Sequence, residues 1–184
     1  MKTLISMLAL LLAGSATAAE QQSLLLYINP HEYSQEAYLG MKPYFSKWVV
    51  TGPAAMAAAQ KTLAPLFKSV GICEGNKAAD VIATISPQLY YNPVPDRYYA
   101  KVKLRFYTGD GKLLGSLNAT GQRTAPINST FSDTDAQLAF ENAMQDIARQ
   151  YPADATLQAG LQQAMQSDFT HMPCEMVGMI PGKP

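Results

Sequence analysis

The sequence predicts an α+β fold, an antiparallel or mixed sheet of three to five strands with helices packed on one face. Two observations carry this. Residues Tyr98–Thr108 alternate strictly between apolar and polar and run through Gly109-Asp110-Gly111 into a second alternating segment. Apolar residues also recur at helical spacing on either side of this hairpin, and the order strand, helix, strand, hairpin, helices has no run of repeated βα units.

The elements follow in chain order. Residues 23–29 (SLLLYIN) are a short apolar run stopped by Pro30 and predict a buried strand. Residues 30–52 read as irregular but aromatic, with a short strand over Lys47–Thr51. Gly52-Pro53 opens a helix with proline in its first turn. Met56, Gln60, Leu63, Phe67 and Val70 keep helical spacing, Pro65 disturbs the last turn, and Gly71 suits the C-terminal cap. After a turn at Glu74–Lys77, Val81–Ile85 reads as an interior strand apolar on both faces, and Asn92–Pro95 breaks the chain.

In the hairpin, Ala100, Val102, Leu104 and Phe106 face one way. Tyr99, Lys101, Lys103, Arg105 and Tyr107 face the other. Leu113, Gly115, Leu117 and Ala119 alternate with Leu114, Ser116, Asn118 and Thr120, which gives an antiparallel pair with one buried and one polar face. A polar loop is expected over residues 121–131. Ser132 or Asp133 caps the next helix, whose stripe is Ala136, Phe140, Ala143, Met144, Ile147 and Tyr151. Pro152 separates it from a helix over 154–167 with Leu157, Leu161 and Met165 on one face, and the proline-bearing tail from Met172 is irregular.

The first 19 residues set the compartment. Lys2, the apolar run Leu4–Leu12 and the small-residue stretch Ala13–Ala19 form a secretory signal peptide, cleaved after Ala18 or Ala19. That run is far shorter than the roughly 20 residues a spanning helix needs, and no later stretch is long and apolar enough to cross a membrane. Residues 20–184 then form a single domain of a periplasmic or secreted protein. Its two cysteines, Cys73 and Cys174, pair by default in an oxidising compartment. Such a bridge closes a loop of about 100 residues, worth roughly 4–5 kcal/mol in the chain-entropy model.

The formal net charge is 0 and only 15% of residues are charged, which argues against general nucleic-acid binding. Charge is nonetheless uneven. Residues 97–112 hold Arg97, Lys101, Lys103, Arg105 and Lys112 against Asp110, while residues 133–175 are acidic apart from Arg149. Because alternate strand residues share a face, Lys101, Lys103 and Arg105 line up about 7 Å apart, flanked by Tyr99 and Tyr107. This row is the candidate binding site, suited to an envelope protein or an acidic lipid or lipopolysaccharide headgroup.

Two rival readings use other residues. His171, Met172 and Met176 are soft ligands suited to copper, in competition with methionine as apolar filler and with a bridged Cys174. His31, beside Glu32 and Tyr33, is a candidate general base for a small secreted hydrolase, against the ordinary reading of a surface histidine. There is no nucleophile elbow, phosphate loop, dinucleotide fingerprint or zinc helix, so neither a cofactor nor an enzyme is expected.

The block DVIATISPQLYY, then YYAKVKLRFYTGDGKLLGSLNATGQ and AFENAMQDIARQY, covers about residues 79–151. In layout it resembles YajG-like lipoproteins and the LPS-assembly lipoprotein family, which pair a hairpin turn like Gly109–Leu114 with a helix like that of Glu141, Met144 and Ile147. The resemblance implies a non-enzymatic accessory role in the bacterial cell envelope and transfers no site residues. The chain departs from both families in having no cysteine for lipidation near the cleavage point.

Mass spectrometry of the protein secreted by a bacterial host is expected to show a mature chain starting at Ala19 or Glu20. An uncleaved Met1 would refute the export reading.

Overall fold

The computed structural model describes residues 22–41, 45–125, 133–165 and 172–180. The signal peptide, Ser132 and His171 lie outside the described residues. A five-stranded mixed sheet has the order β4-β1-β5-β6-β7, from β1 (Ser23–Tyr27), β4 (Ser69–Ile72), β5 (Val81–Asn92), β6 (Arg97–Thr108) and β7 (Leu113–Thr124). The three strands β4, β1 and β5 are mutually parallel, whereas β5, β6 and β7 form an antiparallel meander. A separate hairpin joins β2 (Glu36–Met41) to β3 (Phe45–Val50). The helices are α1 (Pro30–Tyr33), α2 (Thr51–Leu63), α3 (Asp133–Ala153) and α4 (Ala155–Met165).

The sheet is covered unequally on its two faces. On the first, Leu24, Leu26, Val81, Ala83, Leu104 and Phe106 are all but inaccessible and pack with Leu63, Phe140, Met144, Ile147 and Tyr151 of the helices. Tyr151 sits between Phe67 and Phe106, with ring centroids 5.3 and 5.4 Å away. On the second face, Leu25, Ile82 and Tyr107 pack with Cys73, Cys174 and Val177 in a smaller cluster.

Small residues let α3 lie directly on the sheet. Ala136, Ala139 and Ala143 are fully buried. Opposite them is Gly121, where a Cβ would stand 2.0 Å from the Ala139 carbonyl oxygen and 2.4 Å from the Ala143 nitrogen. Between α2 and α3, Glu141 is buried and accepts from Lys61 Nζ at 2.9 Å and from Gln137 Nε2 at 3.2 Å. At the start of β1, Asp80 Oδ2 accepts from Ser23 N at 2.8 Å and Ser23 Oγ at 2.7 Å, and Asp80 N returns a bond to Ser23 Oγ. This clamp ties the first strand to the entry of β5.

Several expectations are corrected. The helix starting at Gly52-Pro53 does not run to Val70. It ends at Leu63, passes through a 3₁₀ turn at Ala64–Leu66, and Gly71 lies inside β4 rather than capping a helix. Pro65 removes a backbone donor there, and Val70 and Ile72 gain a place beside β1. The short strand expected over Lys47–Thr51 is part of β3, and Glu36–Met41, expected to be irregular, is its partner strand β2, with Tyr38 paired to Trp48 and Leu39 and Val49 reaching the core. β5 runs to Asn92 through Pro87, which a strand accepts where its pairing with β1 has already ended at Thr84. β7 continues to Thr124, so the polar loop begins later than residue 121. Pro152 falls within the last turn of α3, and the tail contains a 3₁₀ segment, Cys174–Met179.

Gly121→Ala is expected to lower stability by at least the roughly 1–3 kcal/mol typical of overpacking, since backbone rather than a side-chain tip blocks the added methyl. Urea denaturation checks this, and an unchanged midpoint would contradict the close β7–α3 contact.

Candidate functional site

The site is built from the pleat of β6. Its alternation turns Ala100, Val102, Leu104 and Phe106 toward the helices, all buried, and Lys101, Lys103 and Arg105 toward the second face. The register places Thr84, Ser86 and Gln88 of β5 opposite Arg105, Lys103 and Lys101 on one side. Ser116, Asn118 and Thr120 of β7 stand opposite the same three residues on the other. A row of three cations therefore lies between two rows of short hydroxyl and amide side chains.

The two tyrosines of the candidate site take different positions. Tyr99 is half-buried and stacks on Tyr90 across the strand pair, with centroids 4.9 Å apart and planes 4° from parallel. Lys101 Nζ lies over the Tyr90 ring, 5.4 Å from its centroid, which orients the ammonium group. Tyr107 is only 4% exposed, held in the apolar cluster under the C-terminal tail, and does not flank an open surface. Lys101 is exposed, and Lys103 and Arg105 are partly exposed. Among the described residues, no carboxylate forms an ion pair with Lys101 or Lys103.

Two clefts open on this face. One, of about 460 Å³, lies between α1, the sheet and the tail, and is lined by Tyr27, His31, Glu32, Arg105, Tyr107 and Gly178 among others. The second, of about 500 Å³, is lined by Gln88, Lys101, Lys103, Asn118, Thr120 and Asp146 among others. Ser86 and Arg105 line both, so the two meet over the middle of β5 and β6.

The tail forms one wall of the first cleft because it is fastened at several points. Cys73 and Cys174 form the disulfide expected from the sequence, with Cα atoms 5.3 Å apart. Met172 N donates to Gly109 O at 2.6 Å and Cys174 N to Lys77 O at 3.1 Å. The Met172 side chain packs against the β6–β7 turn at Gly111, and Met176 is exposed. With Cys174 bridged, its sulfur offers no thiolate to a metal. Among the described residues no group of three His, Cys, Asp or Glu side chains is gathered for a metal ion.

His31 lies at the mouth of the first cleft in the four-residue helix α1, where its backbone N–H donates to Asn29 Oδ1 at 3.0 Å. Its neighbour Glu32 accepts from Ser86 Oγ at 3.4 Å. The structure thus brings His31 to the same face as Arg105, which the sequence did not suggest. It also adds Thr84, inside the expected strand, and Ser86 and Gln88, whose alternation with Ile85, Pro87 and Leu89 continues beyond the strand's expected end.

No family model matches the sequence, and no curated protein matches it either. Solved structures do match. Protein XCC0632 from Xanthomonas campestris, described by family model DUF330, is 12% identical with a TM-score of 0.51, over 84% of this chain and 94% of that one. The likeness is one of fold. A PelC dodecamer from Paraburkholderia phytofirmans is 16% identical with a TM-score of 0.41, over 72% of this chain and 88% of that one. Among the described residues no helix is long and apolar enough to cross a membrane.

Replacing both Cys73 and Cys174 by Ser is expected to lower stability by about 2–5 kcal/mol and to raise binding of an apolar dye as Leu25, Ile82 and Tyr107 lose their cover. Unchanged dye binding in the folded double variant would show that the tail stays in place without the bridge.

Proposed function

We propose that this protein is an exported, non-enzymatic accessory protein of the bacterial cell envelope that binds a protein or envelope-lipid partner through the second face of its sheet. The observation that carries the reading is the Lys101–Lys103–Arg105 row, set among hydroxyl and amide side chains and left uncovered by the helices. Among the described residues no carboxylate forms an ion pair with Lys101 or Lys103, and an anionic partner would meet both on this face.

The signal-like N-terminus and the disulfide support an extracytoplasmic location. The sequence resemblance to YajG-like and LPS-assembly lipoproteins supports the same reading. Binding needs no covalent step: electrostatic attraction brings the partner in, and the flanking hydroxyl and amide groups give directional hydrogen bonds once it is seated.

Affinity purification of the tagged mature protein from cross-linked envelope fractions tests this. The Lys101→Glu, Lys103→Glu, Arg105→Glu triple variant is expected to lose its partner while keeping the wild-type circular dichroism spectrum. A folded triple variant that retains the partner would refute the assignment.

A further inference from the structure

The two clefts of the second face share Ser86 and Arg105 and so adjoin as a two-part groove, from α1 and the C-terminal tail over β5 and β6 to Gln88 and Lys101. Its shape matters. One end is walled by Val177, Gly178 and Ile180 on one side and by His31 and Glu32 on the other. A flat bilayer surface cannot follow the floor of such a groove, whereas a chain-like molecule can lie in it.

The lining narrows the chemistry. Lys101 and Arg105 are four residues apart on an extended strand, so the cationic row spans about 13 Å. Short donors and acceptors border it on both sides, from Thr84, Ser86 and Gln88 to Asn118 and Thr120. Two carboxylates also line the groove. Glu32 is held by the Ser86 hydroxyl, and Asp146 is paired with Arg149 at 3.1 Å and accepts from Gln150. Tyr27 stands at one end, and Tyr90, beneath Lys101 Nζ, lies close to the other. Cations for acidic groups, hydroxyls and amides for many ligand hydroxyls, and aromatic side chains at the ends together match one ligand class.

We infer that the groove binds an acidic oligosaccharide, with carboxylate or phosphate groups over Lys101, Lys103 and Arg105 and sugar hydroxyls on the flanking polar rows. This rests on the reading of the second face as the binding face and adds the class of molecule it takes.

The test is calorimetry on the mature chain with tetragalacturonate and a phosphorylated maltotriose as the acidic probes and cellotetraose as the neutral one. At least one acidic probe is expected to bind at least tenfold more tightly than cellotetraose, weakening as salt rises, and the better probe tells carboxylate from phosphate. Lys103→Glu is expected to weaken that binding at least tenfold, and Lys68→Glu, distant from the groove, to leave it unchanged. Should Lys103→Glu disturb the fold, Lys101→Gln with a wild-type melting curve carries the same test. Equal binding of cellotetraose, no binding of either acidic probe, or tighter binding of polyaspartate or RNA would overturn the inference. If the acidic probes fail while the triple charge variant still loses its envelope partner, the ligand class falls and the binding face stands.

Discussion

Strand β6 has paired neighbours along both edges and must therefore divide its side chains between two faces with a period of two. Every larger feature depends on that division. One set, Ala100 to Phe106, supplies the floor on which α3 packs, and a shift of one residue would drive Lys101, Lys103 and Arg105 into that floor. Burying three cations without partners costs far more than a small domain can tolerate, so the register of the sheet and the position of the basic row are fixed by the same constraint. The bulge between Phe106 and Tyr107 comes at the end of the strand, beyond the row, and leaves it in phase.

The second face is completed by the far end of the chain. A sheet this size with helices on one side leaves the other to water, and β1 and β5 carry apolar residues there, Leu25 and Ile82. The tail covers them, and the disulfide, spanning 101 residues, makes that cover permanent in an oxidising compartment. The cover stops short of Lys101 and Lys103. The result is a face that is sealed at the parallel end of the sheet and open at the antiparallel end, with Arg105 at the boundary.

The fold class, the β6–β7 hairpin, α3 and the disulfide were legible because each rests on a local pattern or a forced choice. Alternation reports a half-buried strand, an i, i+3, i+4 stripe reports a helix, and two cysteines in a chain with a signal-like N-terminus leave one pairing. Where two patterns overlapped, the stronger tertiary contact decided. Phe67 and Val70 keep helical spacing with Leu63, yet Val70 and Ile72 pair with β1, so the helix gives way after Pro65. The β2–β3 hairpin was hidden because its strands are short and its outer face is aromatic, with Trp48 59% exposed, so apolar and polar residues do not alternate cleanly. Of the candidate site, the basic row and its β7 neighbours could be read from β6 and the turn. Of the β5 neighbours, Thr84 falls inside the expected strand Val81–Ile85 while Ser86 and Gln88 lie beyond its expected end, and the tail wall and His31 were missed because tertiary folding alone brings them to Arg105.

If the open cationic face is where this protein meets its partner, lysine footprinting reads that contact from the side chains directly. The mature protein is treated with an amine-acylating reagent alone and in the presence of a bacterial envelope extract, and the modified lysines are quantified by mass spectrometry. Lys61 and Lys68, exposed away from the row, serve as internal references. The extract is expected to slow acylation of Lys101 and Lys103 and to leave Lys61 and Lys68 unchanged. Equal rates at Lys101 and Lys103 with and without the extract, alongside protection at Lys61 or Lys68, would place the contact on another face and contradict it.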